Sequence, residues 1–218
     1  MRCKGFLFDL DGTLVNSLVV VERAWSNWAL AHDLDPQVVL DFIHGKQAIT
    51  SLRHFLPQAD EASLRQEFLA LEKVEAEDTD GITAMPGALA LLNRLDDLGA
   101  PWAIVTSGSV PVAHARHAQA GLPRPQVFIT AEQVSRGKPE PDPYLLGAEH
   151  LQLPAESCLV VEDAGAGLRS GLAAGCRVLA VHAPADLPEL AQVDWVLPGL
   201  TGLQIQAEAD GWFSLRHV

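Results

Sequence analysis

Hydrophobic positions along the chain fall into short unbroken runs and longer periodic stretches, and the two alternate. The runs Phe6–Phe8, Trp102–Val105, Val127–Ile129, Leu159–Val161 and Val178–Val181, with a weaker one at Trp195–Leu197, have the character of strands buried on both faces. The stretches Ala88–Leu98, Val110–Ala120, Tyr144–Leu151 and Ala164–Ala174 carry apolar residues three and four apart, as amphipathic helices do. Gly99 and Gly121 stand just past two of these helices as stops, and Asp142-Pro143 reads as an N-cap followed by proline at the first helical position. Alternation of this kind predicts an α/β fold, a Rossmann-like parallel sheet with helices on both faces.

The exception is the stretch from about Asn16 to Pro86, which holds no strand-like run. Its apolar residues repeat with helical spacing at Leu18, Val21, Trp25, Trp28 and Ala29, at Ile49, Leu52 and Leu56, and at Leu64, Phe68 and Leu71. This predicts a helical cap domain over residues 17–84, inserted into a catalytic core made of residues 1–16 and 85–218. The acidic stretch Glu72–Asp80 is expected to be a solvated helix end.

Composition narrows the class. Fifteen basic residues against 28 acidic ones give a net charge of −13, a field that repels nucleic acid. No run approaches the roughly 18 consecutive apolar residues of a membrane span, and Gly5-Phe6-Leu7-Phe8 is too short for a secretory leader. Three cysteines, Cys3, Cys158 and Cys176, show no CxxC spacing and read as small core residues. The expectation is a cytoplasmic protein, monomeric, acting on a small molecule without nucleic-acid or membrane partners.

In an open parallel sheet, ligands bind beyond the carboxyl ends of the strands. The residues there form one set: Asp9-Leu10-Asp11-Gly12-Thr13, Thr106-Ser107-Gly108, the loop reaching Lys138, and Glu162-Asp163. Carboxylates crowded at neighbouring strand ends raise one another's pKa unless a cation neutralises them. Mg²⁺ suits such a site because it takes a few carboxylate oxygens and leaves positions for water and a substrate phosphate. The expected metal ligands are Asp9, Asp11 through its carbonyl, and Asp163, with Glu162 bound directly or through water. Asp9 is expected to be the nucleophile that forms an aspartyl-phosphate, and Asp11 the acid and base that serves the leaving alcohol and then the hydrolytic water. Lys138 and the Thr106 hydroxyl would hold the phosphoryl group.

Other pairings are weaker. Gly165-x-Gly167 follows a strand, but Ser170 occupies the third glycine position and two carboxylates would face the pyrophosphate, so no dinucleotide site is expected. His114 and His117 lie three apart without a third metal ligand and are expected to face solvent.

Taken together, the four motifs resemble those of the haloacid dehalogenase superfamily of phosphatases over nearly the whole chain. Asp9-Leu10-Asp11-Gly12-Thr13 is similar to the first motif, Thr106 to the second, Lys138 in Gly137-Lys138-Pro139 to the third, and Glu162-Asp163 to the fourth. The insertion resembles the family's first-type helical cap. The acid at Asp11 argues against the dehalogenase and phosphonatase branches. His44-Gly45-Lys46-Gln47-Ala48 and Val105-Thr106-Ser107-Gly108-Ser109 look most like sugar and sugar-alcohol phosphatases of the 2-deoxyglucose-6-phosphatase type. The resemblance implies a Mg²⁺-dependent phosphatase of small phosphorylated sugars or polyols. Its catalytic residues would be Asp9, Asp11, Thr106 and Lys138, and its substrate contacts Leu10, Asp11, His44, Lys46, Thr106, Ser107 and Lys138. Two rivals remain. One is β-phosphoglucomutase-type phosphoryl transfer, disfavoured because the mutase's hinge histidine is replaced near Val21. The other is a phosphorylation-switched binding module, disfavoured because receivers carry no inserted cap.

Overall fold

The computed structural model describes residues 1–218. The chain begins with the short strand β1 (Arg2–Cys3), followed by β2 (Gly5–Phe8) and β3 (Val15–Asn16). Four helices follow, α1 (Leu18–Ala31), α2 (Pro36–Ile43), α3 (Ala48–Phe55) and α4 (Glu61–Glu77), and then β4 (Thr83–Ala84). The remainder alternates: α5 (Ala88–Asp97), β5 (Trp102–Val105), α6 (Val110–Gln119), β6 (Val127–Ile129), α7 (Asp142–His150), β7 (Cys158–Glu162), α8 (Gly165–Ala173), β8 (Arg177–Val181) and β9 (Trp195–Leu197). A hairpin of β10 (Leu203–Ala207) and β11 (Phe213–His217) ends the chain.

Six strands form one parallel sheet in the order β6-β5-β2-β7-β8-β9. Alternate residues of a strand point to opposite faces, and here each face has its own core. Phe6, Phe8, Trp102, Ile104, Leu159 and Val161 pack with Leu91, Leu92, Leu95 and Ala113 from α5 and α6. Leu7, Ala103, Val105, Val160 and Val178 pack on the other face with Tyr144, Ala148 and Leu168 from α7 and α8. That double burial is why the sequence shows runs there and not alternation. The three cysteines are free and buried, as expected.

The four helices between β3 and β4 have a core of their own, built on Trp25, Trp28, Val39, Ile43, Leu52, Leu64 and Leu71. Trp28 also donates its indole N–H to Glu67 at 3.0 Å, which satisfies its one polar atom. Leu18, expected on the apolar face, is instead half exposed at the start of α1.

Other expectations need correction. The stretch between Asn16 and Pro86 is not strand-free, because β3 and β4 pair antiparallel at Val15↔Ala84 and Asn16↔Thr83 where the chain leaves and re-enters the core. Two-residue strands are too short to show a period. The hairpin β10–β11 pairs with β1 in a separate antiparallel sheet. It was legible, since Ile205, Phe213 and Leu215 are buried while Gln204, Gln206 and Arg216 are exposed. Asp142 is the first residue of α7 and not its cap.

Candidate active site

β2 lies between β5 and β7, and the chain runs from β2 outward to β5 and β6 before crossing to β7. The order of strands therefore reverses at β2, and a crevice opens beyond its carboxyl end. Asp9 follows β2, Thr106 follows β5, Glu162 ends β7 and Asp163 follows it. Lys138 reaches the same point from the loop between β6 and α7.

The Lys138 ammonium donates to Asp9 Oδ1 at 2.6 Å, Glu162 Oε1 at 2.7 Å and the Val105 carbonyl at 2.9 Å. Its three protons have three acceptors, and its side chain is 1% exposed. Glu162 is fully engaged: Oε1 also accepts from Tyr144 Oη at 3.0 Å, and Oε2 accepts the backbone N–H groups of Asp163 and Ala164 at 2.9 and 3.0 Å. Asp9 is different. Its Oδ2 has no hydrogen-bond partner and is not sealed off. One oxygen is anchored and the other is free.

Asp9, Glu162 and Asp163 each offer an oxygen within 4.8 Å of the others. Three carboxylates thus face one ammonium. Burial pushes the Asp9 carboxyl up to about 8 in spite of Lys138, with Glu162 and Asp11 adding to the rise. Burial, then Glu162 and Asp9, likewise hold the Asp163 carboxyl well above the ordinary range. Burial alone would lower the Lys138 ammonium, but Asp9 and Glu162 together raise it, so it stays protonated. Hard oxygen donors with surplus negative charge are the donor set for Mg²⁺. Asp9 and Asp163 have capacity for it. A cation on Glu162 would have to displace one of four hydrogen bonds.

Gly12 shows why the loop after β2 takes glycine. Its φ is +87°, and a Cβ there would lie 2.2 Å from an Asp163 carboxylate oxygen. Thr13 Oγ1 then donates to Asp163 Oδ1 at 3.1 Å, tying the loops after β2 and β7 together.

Above these groups lies a cleft of about 1030 Å³ between the sheet and the inserted helices, walled on the helical side by Val21, Trp25, Ile49 and Phe68. Thr106 is buried at its floor, where its Oγ1 accepts the Gly108 N–H at 3.0 Å. Ser107 donates to the Gly45 carbonyl at 3.3 Å, so the segment His44–Gln47 touches the core. Gly45 has φ +73°. His44 is exposed at the edge of the cleft, whereas the Lys46 ammonium is folded back onto the Phe42 carbonyl, 4.1 Å above that residue's ring. The Leu10 side chain is fully buried, so only its backbone can meet a ligand. His114 is exposed against Phe128, and His117 bonds the Pro123 carbonyl.

The sequence reading missed five groups. Tyr144 and Thr13 orient Glu162 and Asp163. Ser17 donates to Asp11 Oδ1 at 2.6 Å, and Arg116 lies 3.0 Å from that same oxygen while also reaching Glu75 Oε1 at 2.9 Å. Glu75 corrects the view of Glu72–Asp80 as a solvated end, because it is buried, and Asp78 is held by Arg23. A signal existed. Glu75 follows Leu64, Phe68 and Leu71 at the next helical step, and Arg116 stands three after Ala113 and four after Val112, so each continues an apolar stripe.

A model of the haloacid dehalogenase-like hydrolases matches residues 3–175. Hexitol phosphatase A of Escherichia coli (strain K12) is 64% identical over 97% of this chain and 98% of its own length. 2-Deoxyglucose-6-phosphate phosphatase 1 of Saccharomyces cerevisiae is 35% identical, covering 91% of this chain and 89% of that protein. Among solved structures, β-phosphoglucomutase from Clostridium difficile superposes with a TM-score of 0.83 over 93% of both chains at 19% identity, a likeness of fold.

Proposed function

Because the chain belongs to the haloacid dehalogenase-like hydrolases, we propose that it hydrolyses hexitol phosphates and related sugar phosphates with Mg²⁺, through an aspartyl-phosphate on Asp9. It is a phosphatase. The observation that carries the mechanism is the buried ammonium of Lys138, which anchors one Asp9 oxygen and leaves the other open beneath the cleft.

In this reading Asp9 Oδ2 attacks phosphorus in line, the bond to the substrate's alcohol oxygen breaks, and Asp11 gives that oxygen a proton. Ionised Asp11 then takes a proton from the water that attacks the phosphorus of the aspartyl-phosphate. Inorganic phosphate leaves and Asp9 is restored. The Thr106 hydroxyl, the Lys138 ammonium and the backbone N–H groups of Leu10 and Asp11 hold the phosphoryl oxygens. Asp9, Asp163 and the Asp11 carbonyl would hold Mg²⁺, which when bound neutralises charge on the phosphoryl group and nucleophile. Glu162 serves by fixing Lys138.

The test is phosphate release from a panel of hexitol, hexose, glycerol and aryl phosphates, with and without Mg²⁺, and identification of the organic product. The expected result is highest kcat/KM on a hexitol phosphate with the free polyol as product. An isomeric phosphate in its place would overturn the hydrolase reading in favour of a mutase.

Discrimination falls to the inserted helices, since the strand ends are occupied by phosphoryl group and metal. Lys46 is the contact of choice in His44–Gln47, because the Phe42 carbonyl uses only one of its three protons. Lys46→Ala is expected to cut kcat/KM on hexitol phosphates by about tenfold or more while barely changing an aryl phosphate, which has no remote hydroxyls to lose. Rates on both substrates unchanged from those of the parent enzyme would place specificity elsewhere on the helices.

A further inference from the structure

We propose that Arg116 is a positioning residue for Asp11, and that Glu75 makes this positioning depend on the seating of the inserted helices. The proposal rests on the reading of Asp11 as acid and base. Arg116 sits on α6, in the sheet-bearing part of the chain, and its side chain is 5% exposed. Its Nη1 lies 3.0 Å from Asp11 Oδ1 and its Nη2 lies 2.9 Å from Glu75 Oε1, on α4. One guanidinium therefore joins a carboxylate at the strand end to a carboxylate on the other side of the cleft.

Both contacts to Asp11 fall on the same oxygen. Ser17 donates to Oδ1 at 2.6 Å beside Arg116, while Oδ2 has no hydrogen-bond partner and stays accessible. A carboxylate gripped at one oxygen from two directions has its rotation fixed, and the free oxygen is the one presented to the leaving alcohol or water. Asp9 is held on the same plan, with Lys138 on one oxygen and the other free.

The grip also depends on the helices being closed. Glu75 is buried between α4 and α6, and the Arg116 Nε is buried with no acceptor, so Asp11 and Glu75 are the two side chains that pair with the guanidinium. If α4 lifts away, Arg116 loses one of its two carboxylates and is free to shift, leaving Asp11 Oδ1 held from one direction only, by Ser17. Asp11 would then be gripped from both directions only when the cleft is closed over a substrate, which disfavours serving water in an open site. The contacts of Ser107 with Gly45 place the helices in the seated position in this structure.

The test is a double-mutant cycle between Arg116 and Asp11, with kcat and KM measured on a hexitol phosphate. Arg116→Met is expected to lower kcat about 30-fold with KM within about threefold, Glu75→Gln about fivefold, and Asp11→Asn by about 10³. A residue acting through Asp11 has little left to affect once that carboxylate is gone. Asp11→Asn/Arg116→Met should therefore fall within about threefold of Asp11→Asn alone. A further 30-fold loss in the double variant, with Asp11→Asn itself crippled, overturns the link and leaves the role of Asp11 standing. Asp11→Asn at near wild-type rate overturns the role of Asp11 and the proposal with it. If Arg116→Met does not fold, the same cycle is run with Arg116→Lys and with Glu75→Gln, and additive losses in those pairs are equally decisive against it.

Discussion

Replacing Asp9 with asparagine lowers kcat on a hexitol phosphate by at least about 10³, equivalent to roughly 4 kcal/mol of barrier. The magnitude follows from what the substitution removes and what it leaves. An amide oxygen can still accept the Lys138 proton now given to Asp9 Oδ1, so the buried ammonium keeps its three acceptors and the strand end keeps its shape. The atom facing the cleft, however, becomes an amide nitrogen with no nucleophilic lone pair. The loss is expected in kcat with an unchanged melting temperature. Steady-state kinetics beside a thermal melt checks both, and a folded variant turning over within tenfold of wild type would remove Asp9 from the mechanism.

Chelation of divalent cations abolishes turnover, and Mg²⁺ restores it. Asp9, Glu162 and Asp163 converge around a single ammonium, and burial, with Glu162 and Asp11 adding to it, lifts the Asp9 carboxyl to about 8. The sign of the pH dependence follows from that shift. Below about 8 a proton occupies Asp9 and must leave before a cation can bind, so Mg²⁺ affinity rises with pH. The expected slope is about tenfold per pH unit for each proton displaced from Asp9 or from Asp163, whose carboxyl burial also raises. Ca²⁺ is expected to inhibit, since its larger and more variable shell misplaces nucleophile and phosphorus. Titrations of Mg²⁺ dependence between pH 6 and 9 check the trend, and full activity in excess chelator would show that the acidic cluster has another purpose.

How legible each part was depended on how many positions shared one physical demand. The strands of the parallel sheet were readable because burial on both faces forces every residue from Phe6 to Phe8 and from Trp102 to Val105 to be apolar. The site was readable because the topology puts chemistry at strand ends, where Asp9, Thr106 and Glu162 break those runs. The β3–β4 ribbon was not, since two residues per strand carry no period. Arg116 and Glu75 were missed for a different reason. Each is a charge on an otherwise apolar stripe, and only the packing of α4 on α6 shows that the two pair and that Arg116 reaches Asp11. The bonds that Glu162 accepts from Lys138 and from the backbone N–H groups of Asp163 and Ala164 likewise need coordinates, because the residue type alone fits a metal ligand equally well.

The central claim is that the phosphoryl group passes through Asp9. Wild-type enzyme mixed with a hexitol phosphate carrying labelled phosphorus, quenched in acid within a single turnover and digested, should yield one labelled peptide containing Asp9, its label released by hydroxylamine as an acyl phosphate is. Asp9→Asn should give none. Label on any other residue, or phosphate release at full rate with no labelled peptide at any quench time, would contradict it.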